Sequence, residues 1–268
     1  MKLDGRIIVV TGAGSGMGRQ VALEAVRRGA RVAAVDLNEA TLGETADLVG
    51  SPDRMSTHVL NITDRAAVQA LPQAVIDRFG AVDGLVHCAG IIQPFVRFKD
   101  LDDDAIERVF AVNWWGTVWL TKAFLPILLG RPEGHIVNTS SMGGFLPVPG
   151  QTIYGASKAA VKLFTEGLNS ECAGTNLHVT VVFPGAVATN ITTNSGVDIP
   201  ISGEAAETAA RRTLPADKAA RIILDGMERN AFRVMVGSDA KLMDRLYRLD
   251  PRRAAGFIAG RMKNLLPR

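Results

Sequence analysis

Cysteine is almost missing: Cys88 and Cys172 are the only two in 268 residues. That excludes a disulfide-stapled scaffold and fits a reducing cytoplasm, the expected location. Histidine is sparse, with His58, His87, His135 and His178 each standing alone, so no clustered ligand set is visible and no metal is expected. No apolar run approaches the roughly 20 residues that span a bilayer. The first one, in MKLDGRIIVVTG from Met1, is too short for an export signal and reads as a strand entering a glycine-rich turn. Strong charge is also absent. The net charge is +3, and the basic excess gathers near the C-terminus in Arg245, Arg248, Arg252, Arg253, Arg261, Lys263 and Arg268. Neither zinc-ligand spacing nor basic–aromatic interleaving accompanies it, which argues against a nucleic-acid partner. With 47% hydrophobic and 21% charged residues, the chain has the balance of a soluble globular protein, and its length suits one large domain.

What is present is an alternation of strand and helix patterns. Short β-branched runs begin at Arg6, Arg31, Ser56, Val82, His135, Leu177 and Phe232. Helical periodicity fills the gaps over Met17–Arg28, Glu39–Val49, Ala66–Phe79, Asp103–Leu129, Ile153–Ala173 and Ala216–Glu228. Near-continuous apolar strands separated by helices predict a doubly wound parallel α/β sheet of about seven strands, Rossmann-type, covered on both faces. The expected organisation is a domain over 1–240 and a basic helical tail over 241–268. The region 189–215, rich in Gly, Pro, Ser and Thr, reads as a loop over a substrate.

TGAGSGMGRQ follows the first strand directly. Gly12, Gly16 and Gly18 let the backbone turn tightly and approach a pyrophosphate, and a helix starting near Met17 aims its free amides at the anion. The strand before and the helix after supply the context that a bare glycine triplet lacks. Asp36 ends the second strand, 18 residues beyond Gly18. A carboxylate there accepts from ribose hydroxyls and repels a 2′-phosphate. Leu37, Ala13, Ser15 and Met17 offer no cation to hold that phosphate, so the expected cofactor is NAD, with NADP disfavoured.

In the stretch SSMGGFLPVPGQTIYGASK, Tyr154 precedes Lys158 by four residues and follows Ser141 by thirteen; Asn113 lies upstream in FAVNWWG. With TGxxxGxG at Thr11–Gly18 and YxxxK at Tyr154–Lys158, the chain resembles the compact single-domain branch of the short-chain dehydrogenase/reductase superfamily along nearly its whole length. The resemblance implies an NAD-dependent oxidoreductase acting on a secondary alcohol or ketone. Tyr154 would be the general acid/base and Ser141 would orient the substrate oxygen. Lys158 would lower the phenol pKa and hold the nicotinamide ribose, and Asn113 would fix a water that relays protons to Lys158. One helical turn separates Tyr154 from Lys158, which puts both on one face. A nearby ammonium favours the phenolate of a group whose reference pKa is near 10. The same resemblance implies cofactor contacts at Ser15, Met17, Leu37, Asn61, Ile62, Cys88, Ala89, Gly90, Pro184, Gly185, Val187 and Thr189, besides the glycines, Asp36, Tyr154 and Lys158.

The chain departs from the family at two places. His87-Cys88-Ala89-Gly90 stands where Asn-Asn-Ala-Gly is usual, which puts one ribose contact in doubt; Cys88 reads as a small buried residue rather than a reactive thiol. Asn61 stands where Asp is common, and its amide oxygen can still accept from an adenine amino group. Phe145, Leu146, Val148 and Ile153, with the stretch IIQPFVRF from Ile91, would wall an apolar pocket, favouring a lipophilic substrate. Trp114, Trp115 and Trp119 suit core or subunit contact, and family members commonly form dimers or tetramers, so a homo-oligomer is expected. The tail places Leu242, Leu246 and Leu249 among basic residues; packing on the domain or a neighbouring subunit is expected over membrane contact. A dinucleotide sensor without turnover is the alternative, and it predicts erosion of the four catalytic positions.

Overall fold

A computed structural model of the chain describes residues 1–197 and 213–262. Its strands are β1 (Ile7–Thr11), β2 (Arg31–Asp36), β3 (Met55–Val59), β4 (Gly84–His87), β5 (Gly134–Thr139), β6 (Leu177–Pro184) and β7 (Arg233–Val236). Each lies within two residues of an apolar run read from the sequence. They form one parallel sheet in the order β3-β2-β1-β4-β5-β6-β7. The chain winds outward from β1 to β3, then crosses back to lay β4 on the other side of β1. That reversal opens a crevice at the carboxyl ends of β1 and β4. The helices are α1 (Gly16–Arg27), α2 (Glu39–Val49), α3 (Arg65–Phe79), α4 (Asp103–Phe110), α5 (Thr117–Leu129), α6 (Thr152–Glu171), α7 (Ile191–Ser195), α8 (Ala216–Glu228), α9 (Ser238–Leu249) and α10 (Pro251–Arg261). Among the described residues, no helix is long and apolar enough to cross a membrane.

The central strands are largely apolar because both sheet faces are buried there, whereas the edge strand β3, MSTHV, leaves Thr57 and Val59 exposed. Ile8 and Val10 join one core with Val21 and Ala25 of α1 and Ile223 and Leu224 of α8. Their neighbours Ile7 and Val9 point the opposite way, joining Val68 and Val75 of α3, Leu120 and Phe124 of α5 and Leu168 of α6. Strand side chains alternate faces, so a run such as IIVV feeds both cores at once. Burying each such side chain contributes about 1.5–3 kcal/mol.

Two features differ from expectation. The helical pattern over 103–129 is interrupted by a π-helical turn, Ala111–Gly116, between α4 and α5. The wider turn is supported by Thr117, whose hydroxyl donates to the Asn113 carbonyl at 2.7 Å, while the Asn113 side chain bonds a neighbouring loop. Such turns inside α-helices occur often at functional sites. In the C-terminal helices, Leu242 and Leu249 are exposed at 62% and 84%. The inward face is instead Met243, Leu246 and Tyr247, spaced at i, i+3 and i+4. With Ile258 of α10 they pack on Met142, Phe145 and Leu146 of the same domain. The rest of the expected tail, including Lys263 and Arg268, lies outside the described residues, as do residues 198–212 of the 189–215 segment.

Candidate active site

The glycine-rich turn leaves β1 and enters α1 with Gly12 at φ 70° and Gly16 at φ 53°, where side chains with a Cβ are strained. A Cβ on Gly12 would sit 2.9 Å from the Ala89 nitrogen, so the turn lies against the end of β4. A Cβ on Gly18 would fall on the Gly12 carbonyl oxygen. Ser15 precedes α1 without capping it; its hydroxyl accepts from Asn194 at 2.8 Å. Met17 is half-buried against the α1 face of the core. Asp36 turns back onto the glycine turn: its Oδ2 accepts from Gly14 N–H at 2.8 Å and its Oδ1 from Asn38 N–H at 3.0 Å. Leu37 beside it is 66% exposed. Asn61 is exposed and accepts from the Thr63 N–H and hydroxyl at 3.0 and 2.9 Å, whereas Ile62 is buried against Gly116 of the π turn. The open backbone of this cradle and the free amides starting α1 suit a pyrophosphate.

Across the crevice, four side chains converge from three elements. Asn113 is fully buried, accepting from Ile91 N–H and donating to Ile91 C=O, both at 2.9 Å, and donating to Ser157 Oγ at 3.1 Å. Lys158, 3% exposed, donates from Nζ to the Thr139 carbonyl at 2.9 Å. Gly90 separates the two: a Cβ there would lie 3.2 Å from both Asn113 Oδ1 and Lys158 Nζ. Ser141 lies two residues past β5, capping the short turn Met142–Gly144, and accepts from Gly143 N–H at 3.0 Å. A Cβ on Gly143 would lie 3.5 Å from both Ser141 Oγ and the Tyr154 ring. The packing therefore brings together all four positions singled out in the sequence.

Burial dominates the electrostatics. It pulls the Lys158 ammonium down to about 8 because desolvation disfavours charge. Burial pushes the Tyr154 phenol above its ordinary value, with the Ser141 hydrogen bond pulling the other way. Burial thus favours the neutral phenol, against the lowering expected from the lysine's proximity. Cys88 is half-buried rather than buried as expected; desolvation pushes its thiol up to about 12, against weaker pulls from Thr139 and Lys158, which favours the protonated thiol. His87 is fully buried and held neutral at about 3, by burial first and Lys158 second; its Nδ1 and Thr11 Oγ1 share a hydrogen bond of 2.8 Å.

The loop after β6 closes the same crevice. Pro184 ends the strand, and Gly185 N–H donates to Val236 C=O at 2.9 Å. Val187 bridges to Leu214, and Ala188 N–H donates to Leu214 C=O at 2.9 Å. A Cβ on Gly16 would lie 3.1 Å from the Thr189 side chain, so this loop meets the glycine turn. Three positioning groups escaped the sequence reading. Asp239, in the first turn of α9, accepts from Ala186 N–H at 2.8 Å. Ser195 accepts from Ile92 N–H at 3.0 Å. Gln93 is fully buried against the start of α6. A lone amide inside the apolar stretch IIQPF was the available sign for Gln93; the others depend on contacts across distant segments.

Residues 6–199 match the family model described as short chain dehydrogenase. SadH of Mycobacterium tuberculosis, which bears the name of an oxidoreductase, is 38% identical over 257 residues, covering 92% of this chain and 91% of SadH. The 3-oxoacyl-[acyl-carrier-protein] reductase FabG of Thermotoga maritima is 36% identical over 195 residues, covering 72% of this chain and 78% of FabG. Among solved structures, a short chain dehydrogenase/reductase from Burkholderia phymatum in complex with NAD superposes with a TM-score of 0.84 at 28% identity. That match covers 94% of this chain and 96% of the other.

Proposed function

The chain belongs to the short-chain dehydrogenase family, and from that premise we propose that it is an NAD-dependent oxidoreductase interconverting a lipophilic secondary alcohol and its ketone. The observation carrying this reading is the convergence of Ser141, Tyr154, Lys158 and Asn113 beside the glycine cradle. Gly12, Gly16, Gly18 and the α1 amides would hold the pyrophosphate, and Asp36 the adenosine ribose. Asn61 and Ile62 would border the adenine, and Val187 and Thr189 the carboxamide. When bound, the nicotinamide accepts or supplies the hydride.

This chain's residues handle the proton. Tyr154 takes it from, or gives it to, the substrate oxygen, and Ser141 hydrogen-bonds that same oxygen to fix it within reach. Lys158 answers the phenol's burial: its ammonium, present below about pH 8, favours the phenolate. Asn113, across Gly90 from that ammonium, would fix a water that relays protons to Lys158. Leu146, expected in the pocket wall, is instead fully buried in the core under α9 and α10; the half-buried Phe145, Val148 and Ile153 are the apolar surface that supports a lipophilic substrate. Exposed Trp115, stacked on Trp119 at 5.7 Å, and Leu163, 69% exposed, support a homo-oligomer formed through α5 and α6.

The test follows nicotinamide absorbance with secondary alcohols, sterols and hydroxyacyl thioesters, each with NAD and NADP. Turnover with NAD is expected, and Tyr154→Phe should remove it by about 10²-fold or more with NADH affinity unchanged. Turnover surviving that substitution would overturn the proton-transfer assignment. NADH binding without turnover of any substrate would favour a sensor.

A further inference from the structure

Gln93 lies three residues past Gly90, in the loop leaving β4, and its side chain is fully buried. Its Oε1 accepts from two backbone N–H groups, Ile153 at 2.7 Å and Tyr154 at 2.9 Å. Both belong to the first turn of α6, whose amides find no partner within the helix. The residue preceding that helix, Gln151, supplies no side-chain cap. Its Nε2 instead donates to the Gln93 carbonyl at 2.8 Å. The two glutamines thus clasp each other's segments, and the cap of the Tyr154 helix comes from a loop about sixty positions upstream.

The chemistry requires an acceptor with this reach. Because both partners are donors, the atom facing them must be the amide oxygen. The loop carrying Gln93 is itself anchored: Ile91 by the Asn113 side chain, and Ile92 by Ser195. The backbone of Ile91–Gln93 therefore ties the Asn113 side chain at one end to the backbone of Tyr154 at the other.

We propose that Gln93 is a positioning residue for the reaction, holding the first turn of α6 so that the Tyr154 phenol stays seated against Ser141. The inference rests on the oxidoreductase reading, and its test separates the two. The chain has two tyrosines, so in a Tyr247→Phe background phenolate absorbance reports Tyr154 alone, with or without turnover. Gln93→Asn keeps the amide but shortens its reach. In that variant kcat should fall by about 10²-fold, the scale of an ångström misplacement, while NADH affinity holds. Its phenol should titrate closer to the ordinary tyrosine value as it leaves its buried seat. Gln93→Glu keeps the reach and the acceptor, and should restore kcat to within a few-fold of the unsubstituted chain. An Asn variant with undiminished kcat and an unmoved phenol titration would overturn the proposal. So would an equal loss in the Glu variant, since the acceptor would then be irrelevant. If the unsubstituted chain turns nothing over, the oxidoreductase reading fails while the phenol titration of Gln93→Asn still decides the role of the cap.

Discussion

Lys158→Met should make the cofactor-free protein more stable at neutral pH while removing its activity. Burial lowers the Lys158 pKa from 10.5 to about 8, which corresponds to about 3 kcal/mol. In the unfolded chain this amine keeps its proton until about pH 10.4, whereas the folded chain releases it near 8. Between those values the unfolded state binds more protons, so stability rises with pH across that window; below pH 8 the folded state carries the whole penalty. Methionine fills similar space without a charge. Against the gain stands the lost bond from Nζ to the Thr139 carbonyl, whose removal leaves a buried acceptor bare at a cost of about 1–3 kcal/mol. The balance is a gain of about 1 kcal/mol at pH 7, roughly 2–4 °C in Tm for a domain of this size. The gain should vanish and then reverse by about pH 10, where the folded chain's lysine is neutral and most of the penalty is gone, although the unfolded chain's amine is only beginning to lose its proton. Urea unfolding of both proteins at pH 7 and pH 10 measures it. A difference that does not change between those two pH values would refute the reasoning, because no buried ammonium would then be titrating.

Three further outcomes follow from the site. Asp36→Ala should weaken NADH by about 10-fold or more, the scale of a hydrogen bond to a charged group, and weaken NADPH less; equal losses in fluorescence titrations would contradict the ribose assignment. Gly18→Ala would place a Cβ on the Gly12 carbonyl, so dinucleotide binding should be lost even where circular dichroism shows the fold retained; wild-type affinity would mean that the turn opens freely. With its thiol pushed up to about 12, Cys88 in the native protein should alkylate about 10³-fold more slowly at pH 8 than an ordinary cysteine, and mass spectrometry of iodoacetamide-treated protein checks this against the urea-unfolded chain.

Much of the architecture was legible because its causes are local. A run such as IIVV is apolar at consecutive positions only if both faces of a strand are covered, and seven short strand patterns alternating with helical ones leave little besides a doubly wound sheet. Glycines at 12, 16 and 18 mark a tight turn by their missing side chains, and the four-residue step from Tyr154 to Lys158 fixes a shared helical face. The π turn around Asn113 was not legible, because it depends on the Thr117 hydroxyl and on a clasp to Ile91, a residue 22 positions away. Neither was the role of the C-terminal helices. Leucines at 242, 246 and 249 suggested one stripe, while the neighbouring packing surface selected Met243, Leu246 and Tyr247.

The sequence by itself determined the sheet, the glycine cradle and the acidic end of β2, since each follows from residue type and near spacing, and its resemblance to the family singled out the four proposed catalytic side chains. Tertiary structure alone decided their charge states and their scaffolding. The pKa of Lys158 depends on how completely water is excluded from it, and the seat of Tyr154 depends on Gln93. Both effects arise between segments far apart in the chain, where no local pattern records which groups will share a dry interior.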